Sequence, residues 1–286
     1  MTSVSNISDT FHQARQENRT VLIPYITVGF PEATITPQLI IALANAGADI
    51  IELGVPFSDP TADGPVVQYA GQIALRNGIT MQHCLEAASA ARSASIPLIL
   101  MGYMNPFLQY GLPQLTKQAQ QAGIKGFIVP DLPPEEGIEF STIAAENGCD
   151  LIYMAAPSSS SERLKLIGQR SRGFVYGVTV RGVTGERREL PSDVPQLLTR
   201  IRRYTQLPVA AGFGISTPKH VQLIGQYADG AVVGSALIHK LINTTGHDTL
   251  HAASTFTAAL KTGTYRHQDM IPYTTVRTTG EEAWQR

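Results

Sequence analysis

The chain has 286 residues, of which 43% are hydrophobic and only 16% are charged, a composition that supports a sizeable buried core. Its 22 Lys and Arg nearly balance its 23 Asp and Glu, which excludes the net basic field that recruits nucleic acid or an anionic membrane. The two cysteines lack metal-ligand spacing, and no apolar run approaches the roughly 18 residues that span a bilayer. We therefore expect a cytoplasmic protein with no metal, no membrane and no nucleic-acid partner.

Short apolar segments rich in β-branched residues alternate with helical patterns along the chain. The predicted strands, in chain order, are 21–28, 49–53, 97–101, 126–129, 150–155, 174–180, 208–211 and 229–233. Helical patterns between them cover 36–46, 81–94, 113–122, 135–146, 161–170, 194–204 and 218–227. Gly47, Gly123 and Gly148 each follow a predicted helix, where a left-handed glycine ends the helix at little cost.

This alternation is typical of βα units over a parallel sheet. Eight repeats in about 250 residues predict a single closed (β/α)8 barrel, a TIM barrel, over residues 1–262. An extra N-terminal helix is expected before residue 21, at the barrel floor, and 263–286 is predicted as a polar C-terminal tail. An open doubly wound sheet is the weaker alternative, because the first loop, Gly29-Phe30-Pro31, lacks the Gly-x-Gly-x-x-Gly turn.

Two carboxylates stand out near the end of the second predicted strand. Glu52 interrupts an otherwise apolar run, where an ionised side chain is costly unless a partner or a change of protonation relieves it. Asp63 follows on a loop rich in glycine and proline. A buried Glu can also be a structural hydrogen-bond acceptor, and Asp before Gly is a common turn residue. Two carboxylates in different surroundings can nevertheless divide acid and base roles, so the pair predicts a catalytic site.

The other end of the predicted site consists of glycines. Gly212, Phe213 and Gly214 follow the seventh strand, and Gly234-Ser235 follows the eighth, each leading into a helical segment. Backbone N–H groups at helix N-termini bind oxyanions, and this is the usual phosphate position in such barrels. Tight turns alone would also explain the glycines. The loop at 182–188 could fold over a ligand as a lid, although ordinary surface loops have a similar composition.

These motifs together closely resemble one family, the α subunit of tryptophan synthase. The resemblance spans about residues 22–242 and rests on Pro24-Tyr25-Ile26-Thr27, on residues 52–60 with Ala62-Asp63-Gly64-Pro65, on Val129-Pro130-Asp131-Leu132-Pro133, on Gly182-Val183-Thr184-Gly185, and on Gly212-Phe213-Gly214-Ile215-Ser216. The segment from Glu52 to Pro65 is the most specific of these.

The resemblance implies a lyase of tryptophan biosynthesis that cleaves indole-3-glycerol phosphate to indole and glyceraldehyde 3-phosphate by a retro-aldol reaction. It assigns acid and base work to Glu52 and places Asp63 against the indole N–H. The substrate-binding residues it implies are Tyr25, Met101, Ile128, Tyr176, Thr184, Gly185, Phe213, Gly214, Gly234 and Ser235. It implies no cofactor on this chain, and a partner β subunit carrying pyridoxal phosphate in an αββα complex. The partner would meet 59–60, 103–110 and 131–134.

Other functions remain open at this point. A stand-alone indole-3-glycerol-phosphate lyase would release free indole, and a non-catalytic regulatory subunit would keep the partner surface alone. Phosphosugar isomerases share the fold and the phosphate position, but the segment from Glu52 to Asp63 disfavours them. Two residues depart from the family pattern: Phe30 stands where Asp is common, and Arg181 stands where a small residue is common. We expect these departures to affect loop closure rather than proton transfer.

Overall fold

The computed structural model describes residues 6–178, 193–212 and 214–266. Nine strands lie within this part of the chain. They are β1 Val21–Thr27, β2 Ile51–Gly54, β3 Leu98–Met101, β4 Ile124–Ile128, β5 Asp150–Ile152, β6 Met154–Ala155, β7 Val175–Val178, β8 Val209–Gly212 and β9 Gly230–Val233. All paired strands run parallel, in the order β5-β4-β3-β2-β1-β9-β8-β7-β6.

The sheet curls into a barrel because the first and last strands, β1 and β9, pair with each other. The predicted fifth strand is divided at Tyr153 into β5, which pairs with β4, and β6, which pairs with β7. The Tyr153 carbonyl accepts a hydrogen bond from the Tyr176 N–H at 3.1 Å, which keeps the two edges together. The predicted (β/α)8 barrel is therefore confirmed, with one interrupted strand.

Twelve α-helices lie within the described residues, most of them on the outside of the barrel. They are α1 Ile7–Gln16, α2 Thr36–Asn45, α3 Pro65–Arg76, α4 Met81–Ala90, α5 Met104–Tyr110, α6 Leu112–Ala122, α7 Ile138–Glu146, α8 Ser161–Arg170, α9 Asp193–Arg202, α10 Pro218–Gly225, α11 Ser235–Leu241 and α12 Gly246–Thr262, with a 3-10 turn at Arg92–Ala94. Gly47, Gly123 and Gly148 have positive φ angles, as predicted for helix ends. None of these described helices has the length and apolar character needed to cross a membrane.

Helix α1 closes the floor of the barrel, as predicted for the segment before residue 21. Its Asn6 cap accepts a hydrogen bond from the Asp9 N–H at 2.7 Å. Ile7 and Phe11 then belong to the cluster formed by the inward-facing strand residues, where the rings of Phe11 and Phe174 lie 5.5 Å apart. The helix thus fills an opening that would otherwise admit water to the core.

The segment at 263–266, the start of the predicted tail, packs against the same floor. The Thr264 carbonyl accepts from the Thr20 N–H at 2.9 Å, and the Arg266 guanidinium donates to the Ala228 carbonyl at 3.1 Å. Nearby, the Asp49 carboxylate, which is 9% exposed, pairs with Lys261 and Arg19, each at 2.9 Å. The predicted tail at 263–286 therefore begins with a segment, 263–266, that is hydrogen-bonded to the floor and in which Thr264 is buried, and residues 267–286 lie outside the described part.

We expect Phe11→Ala to destabilise the protein by about 3–5 kcal/mol, because it leaves a cavity between the floor helix and the barrel interior. Urea unfolding followed by circular dichroism measures this change. The control is Leu108→Ala, since Leu108 is 56% exposed and should cost little. Equal effects of the two substitutions would contradict a plug role for α1.

Candidate active site

Glu52 lies inside the barrel with no partner for its charge. Its neighbours Ile51 and Leu53 join the core between strands and helices, so strand alternation points Glu52 inward with Ile50. It is fully buried, and neither carboxylate oxygen has a hydrogen-bond partner among the described residues. Burial raises the pKa of Glu52 to about 8. The side chain therefore holds a proton at neutral pH and can donate it.

Asp63 stands on the loop between β2 and α3, at the mouth of the barrel. The loop is folded by its own backbone, since the Asp63 N–H donates to the Pro60 carbonyl at 3.1 Å. The amide of Gln68 on α3 donates to the Asp63 carbonyl at 2.9 Å and fixes this corner. Burial raises the pKa of Asp63 to about 6, and a hydrogen bond with Tyr103 opposes the rise. At neutral pH Asp63 is mostly ionised while Glu52 is not.

Tyr103 is a site residue that the sequence analysis assigned only to the partner-facing surface. Its hydroxyl accepts a hydrogen bond from the Ala62 N–H at 2.9 Å, and its interaction with the Asp63 carboxylate lowers the pKa of that group. Its ring lies 5.3 Å from that of Phe57, with which it makes a tilted contact. The one signal in the sequence was its position at the end of the third strand. The contact itself joins two loops that are distant in sequence.

Tyr25 and Tyr176 are buried, and their phenols feel the charges of both carboxyl groups. Tyr25 pairs in register with Glu52, and burial together with the charges of Asp63 and Glu52 raises the pKa of both phenols. Glycines make room for the rings: a Cβ at position 54 would lie 2.0 Å from the Tyr25 hydroxyl, and one at position 212 would lie 2.7 Å from that of Tyr176. Both tyrosines therefore stay neutral and can donate hydrogen bonds at the mouth.

Met101 and Ile128 form an apolar wall beside the carboxyl groups. They pair in register at the ends of β3 and β4 and pack with the cluster inside the barrel. Ile128 is fully buried, whereas Met101 is partly exposed toward the mouth. The structure thus brings together five residues predicted for the site: Tyr25, Glu52, Met101, Ile128 and Tyr176. This arrangement places apolar side chains beside polar groups at one end of the barrel.

The glycines predicted to bind phosphate lie at the C-terminal ends of the last two barrel strands. Gly214 has a φ angle of 68° after β8, a conformation that favours glycine. Gly234 caps α11, where its carbonyl accepts from the Ile238 N–H at 3.1 Å, and Ser235 is the first residue of that helix. Phe213, Thr184 and Gly185 lie outside the described residues. Binding of phosphate at this end therefore stays a prediction.

Within the described ranges, no group of three or more His, Cys, Asp or Glu side chains could hold a metal ion. What the geometry does provide is a parallel barrel with a protonated buried carboxyl group, a second carboxylate near it, and an apolar wall at the C-terminal ends of the strands. Catalytic residues of (β/α)8 enzymes occupy this end of the barrel. The fold and the site together define the class as a (β/α)8-barrel enzyme whose candidate site contains groups suited to acid and base catalysis.

Comparison with known proteins agrees with a barrel enzyme and identifies the family to which the chain belongs. The family model for the tryptophan synthase alpha chain matches residues 11–265. The chain is 48% identical over 240 residues to the tryptophan synthase alpha chain of Roseiflexus castenholzii, covering 83% of this chain and 92% of the relative. It is 43% identical over 265 residues to that of Chloroflexus aggregans, covering 92% and 99%. The chain belongs to the tryptophan synthase alpha chain family.

Solved structures agree with this assignment. A structure of Mycobacterium tuberculosis tryptophan synthase matches with a TM-score of 0.85 and 36% identity, covering 92% of this chain and 100% of the other. The tryptophan synthase alpha chain of Legionella pneumophila matches with a TM-score of 0.82 and 34% identity, covering 90% and 96%. The resemblance identified from the motifs is confirmed, and the chain is a lyase of the enzyme family that cleaves indole-3-glycerol phosphate.

We expect Glu52→Gln to stabilise the folded protein increasingly as pH rises. The folded pKa of about 8 exceeds the usual 4.5, so the native state holds its proton more tightly than the unfolded chain. The contribution of Glu52 to the free energy of unfolding is therefore complete below pH 4.5, and it is lost as the pH rises to about 8. Relative to the parent, the variant should gain on the order of 2–4 kcal/mol between pH 5 and pH 8.5.

Urea unfolding at these two pH values measures the difference between parent and variant. The matched control is Glu86→Gln on α4, because Glu86 is exposed. A gain for Glu52→Gln that does not change with pH would mean that Glu52 is ionised in the folded protein at neutral pH.

Proposed function

We propose that Glu52 and Asp63 carry out the cleavage of indole-3-glycerol phosphate to indole and glyceraldehyde 3-phosphate in this chain. The observation that carries this proposal is the difference between the two carboxyl groups. Glu52 is fully buried with a pKa near 8, whereas Asp63 is partly exposed with a pKa near 6. One group can therefore donate a proton at a pH where the other carries a charge.

The retro-aldol reaction needs both functions. Glu52 donates its proton to the indole carbon that bears the glycerol chain, and the ring becomes a cationic indolenine. Asp63 accepts a hydrogen bond from the indole N–H and stabilises that positive charge as it develops. The Glu52 carboxylate then takes the proton of the adjacent glycerol hydroxyl, which becomes the aldehyde. The electron pair of the breaking carbon–carbon bond returns to the ring, which leaves as indole, and Glu52 ends protonated.

The other site residues would bind and enclose the substrate. Tyr25, Met101, Ile128 and Tyr176 would surround the indole and glycerol and keep water away from the cationic intermediate. The N–H groups at Gly214, Gly234 and Ser235 would hold the phosphate, helped by the partial positive charge at helix N-termini. From the family resemblance, Gly185 would also contact the phosphate, Phe213 the indole, and Thr184 the region of Asp63.

We also propose a partner. The relatives and solved structures of tryptophan synthase imply a β subunit, and the family needs no cofactor of its own. We infer an αββα complex in which the β subunit carries pyridoxal phosphate and receives the indole. The proposed contact surface is formed by 59–60, 103–110 and 131–134, where Leu108 is exposed. Two buried free cysteines suit the cytoplasm, where we place the complex.

We expect Glu52→Gln and Asp63→Asn each to lower turnover by at least about 10²-fold, because each removes a positioned acid or charge. Indole release from indole-3-glycerol phosphate, measured with and without a tryptophan synthase β subunit, provides the test. Thermal melting confirms that both variants fold. Near-parent cleavage by Glu52→Gln would show that the proton comes from another group.

The same assay on the parent separates the remaining alternatives. Acceleration by the β subunit supports the synthase role, whereas rapid cleavage that ignores it indicates a stand-alone lyase. Absence of cleavage in both conditions would revive a regulatory role.

We expect Gly214→Asp to raise KM for indole-3-glycerol phosphate by at least about tenfold, because its carboxylate would lie against the substrate phosphate. Gly214→Asn is the matched control, since Asn is similar in size, tolerates a positive φ angle and carries no charge. Steady-state kinetics with the β subunit present measures both. Equal KM values for the two variants would locate the phosphate elsewhere.

A further inference from the structure

We propose that Tyr103 is a positioning residue for Asp63, and that Asp131 in turn holds Tyr103 in place. The inference rests on the proposed function of Asp63 and adds to it two residues that set the orientation of its carboxylate. Three loops meet at this point: the one after β2, which carries Asp63, the one after β3, which carries Tyr103, and the one after β4, which carries Asp131.

Tyr103 interacts with two neighbouring groups of the Asp63 loop. The Tyr103 hydroxyl accepts the Ala62 N–H at 2.9 Å, which leaves its own proton to interact with the carboxylate of the next residue, Asp63, and to lower the pKa of that group. A tyrosine that served only to fill space would not need a hydroxyl matched to both a donor and an acceptor on one loop. Because the two groups are adjacent in sequence, the hydroxyl fixes the backbone and the side chain together.

Packing leaves the Tyr103 ring little freedom to move. The side chain is only 4% exposed, and the Phe57 ring lies 5.3 Å away. On the preceding residue, Gly102, a Cβ would lie 2.9 Å from the Phe107 ring, so the backbone approaches the core closely there. The Tyr103 hydroxyl is therefore held in a fixed position by the packing of its ring and backbone.

Asp131, on the neighbouring loop, fixes the backbone next to Tyr103. Its carboxylate accepts a hydrogen bond from the Met104 N–H at 2.9 Å. Met104 is the first residue of α5 and directly follows Tyr103, which provides no side-chain cap of its own. A carboxylate at a helix N-terminus is favoured by the helix dipole. Asp131 thus supplies from another loop the cap that α5 lacks, and it fixes the residue next to Tyr103.

The electrostatics around Asp63 indicate what the hydroxyl does. Burial raises the pKa of Asp63, and the Tyr103 hydrogen bond is the interaction that lowers it. The other titratable side chains that feel the Asp63 charge are Tyr25 and Tyr176, which also face Glu52. Asp131 acts on Tyr103 rather than on Asp63. Without the hydroxyl, Asp63 would be harder to ionise and its carboxylate would be free to rotate.

The test is the pH dependence of kcat/KM for cleavage of indole-3-glycerol phosphate, measured at saturating β subunit. The parent should give a bell whose acidic limb reports ionisation of Asp63 and whose alkaline limb reports loss of the Glu52 proton. Tyr103→Phe should lower kcat/KM by about tenfold near pH 6.5 and move the acidic limb upward by about one pH unit, with the alkaline limb unchanged. The loss should lie mainly in kcat.

The matched control is Tyr153→Phe. Tyr153 is also buried, but its hydroxyl has no hydrogen-bond partner among the described residues, so both limbs should stay in place. An acidic limb that does not move in Tyr103→Phe, or that moves equally in Tyr153→Phe, would overturn the proposal.

Asp131 supplies a second pair of variants. Asp131→Ala removes the α5 cap and should move the acidic limb in the same direction as Tyr103→Phe, by a smaller amount. Asp131→Asn keeps an oxygen that can accept the Met104 N–H but loses the charge, so its acidic limb should lie closer to that of the parent than the limb of Asp131→Ala does. An unchanged acidic limb in Asp131→Ala, or no rescue by Asn, would contradict the role of Asp131.

A direct titration separates this inference from the proposed function. The carboxyl carbon of Asp63, followed by NMR against pH, should titrate higher in Tyr103→Phe than in the parent even where no turnover is measured. A parent that does not cleave substrate would overturn the proposed function. A parent that does, combined with an unchanged Asp63 titration in Tyr103→Phe, would overturn the positioning role alone.

Discussion

The constraint on which the site depends is the burial of Glu52 inside a parallel barrel, where no described residue pairs with its charge. Taking a carboxyl group out of water favours its neutral form, and here the group is surrounded by apolar strand residues and two phenols. The barrel makes this possible because it excludes water from all sides at once. Gly54 and Gly212 then leave space for the Tyr25 and Tyr176 rings beside it. A protonated acid at neutral pH is thus a property of the closed fold and not of the residue alone.

The contacts that stabilise the floor of the barrel are separate from the residues proposed for catalysis at its mouth. Phe11 of α1 fills the interior from below, and Asp49 pairs with Arg19 and Lys261 at the same end. Such buried pairs contribute chiefly because removing one partner would leave the other charge unsatisfied. No residue proposed for catalysis takes part in these contacts. A costly, unpaired Glu52 is tolerable because the remaining core offsets its unfavourable burial.

The departure at Phe30 has a physical basis in the structure. Its ring is 2% exposed, belongs to the core between strands and helices, and contacts Tyr69 of α3 edge-on at 6.3 Å. An apolar side chain therefore anchors the first βα loop to the helix that follows the Asp63 loop. The Asn77 amide donates to the Gly29 carbonyl at 2.9 Å and adds a second tie between the same elements. Arg181 lies outside the described residues, so its effect on loop closure stays a prediction.

The sequence by itself determined the eight strand positions, the floor helix and the two carboxylates, because periodicity, helix-ending glycines and a charge in an apolar strand are local signals. The helices predicted from the sequence did not include α3 and α5, which follow the functional loops, or α12, and the sequence did not show that Tyr153 divides the fifth strand. Only the tertiary structure decided that Glu52 has no hydrogen-bond partner within the described part of the chain and that Tyr103 contacts the loop of Asp63. These facts depend on which side chains from separate loops meet when the barrel closes. No local sequence pattern predicts these contacts between separate loops.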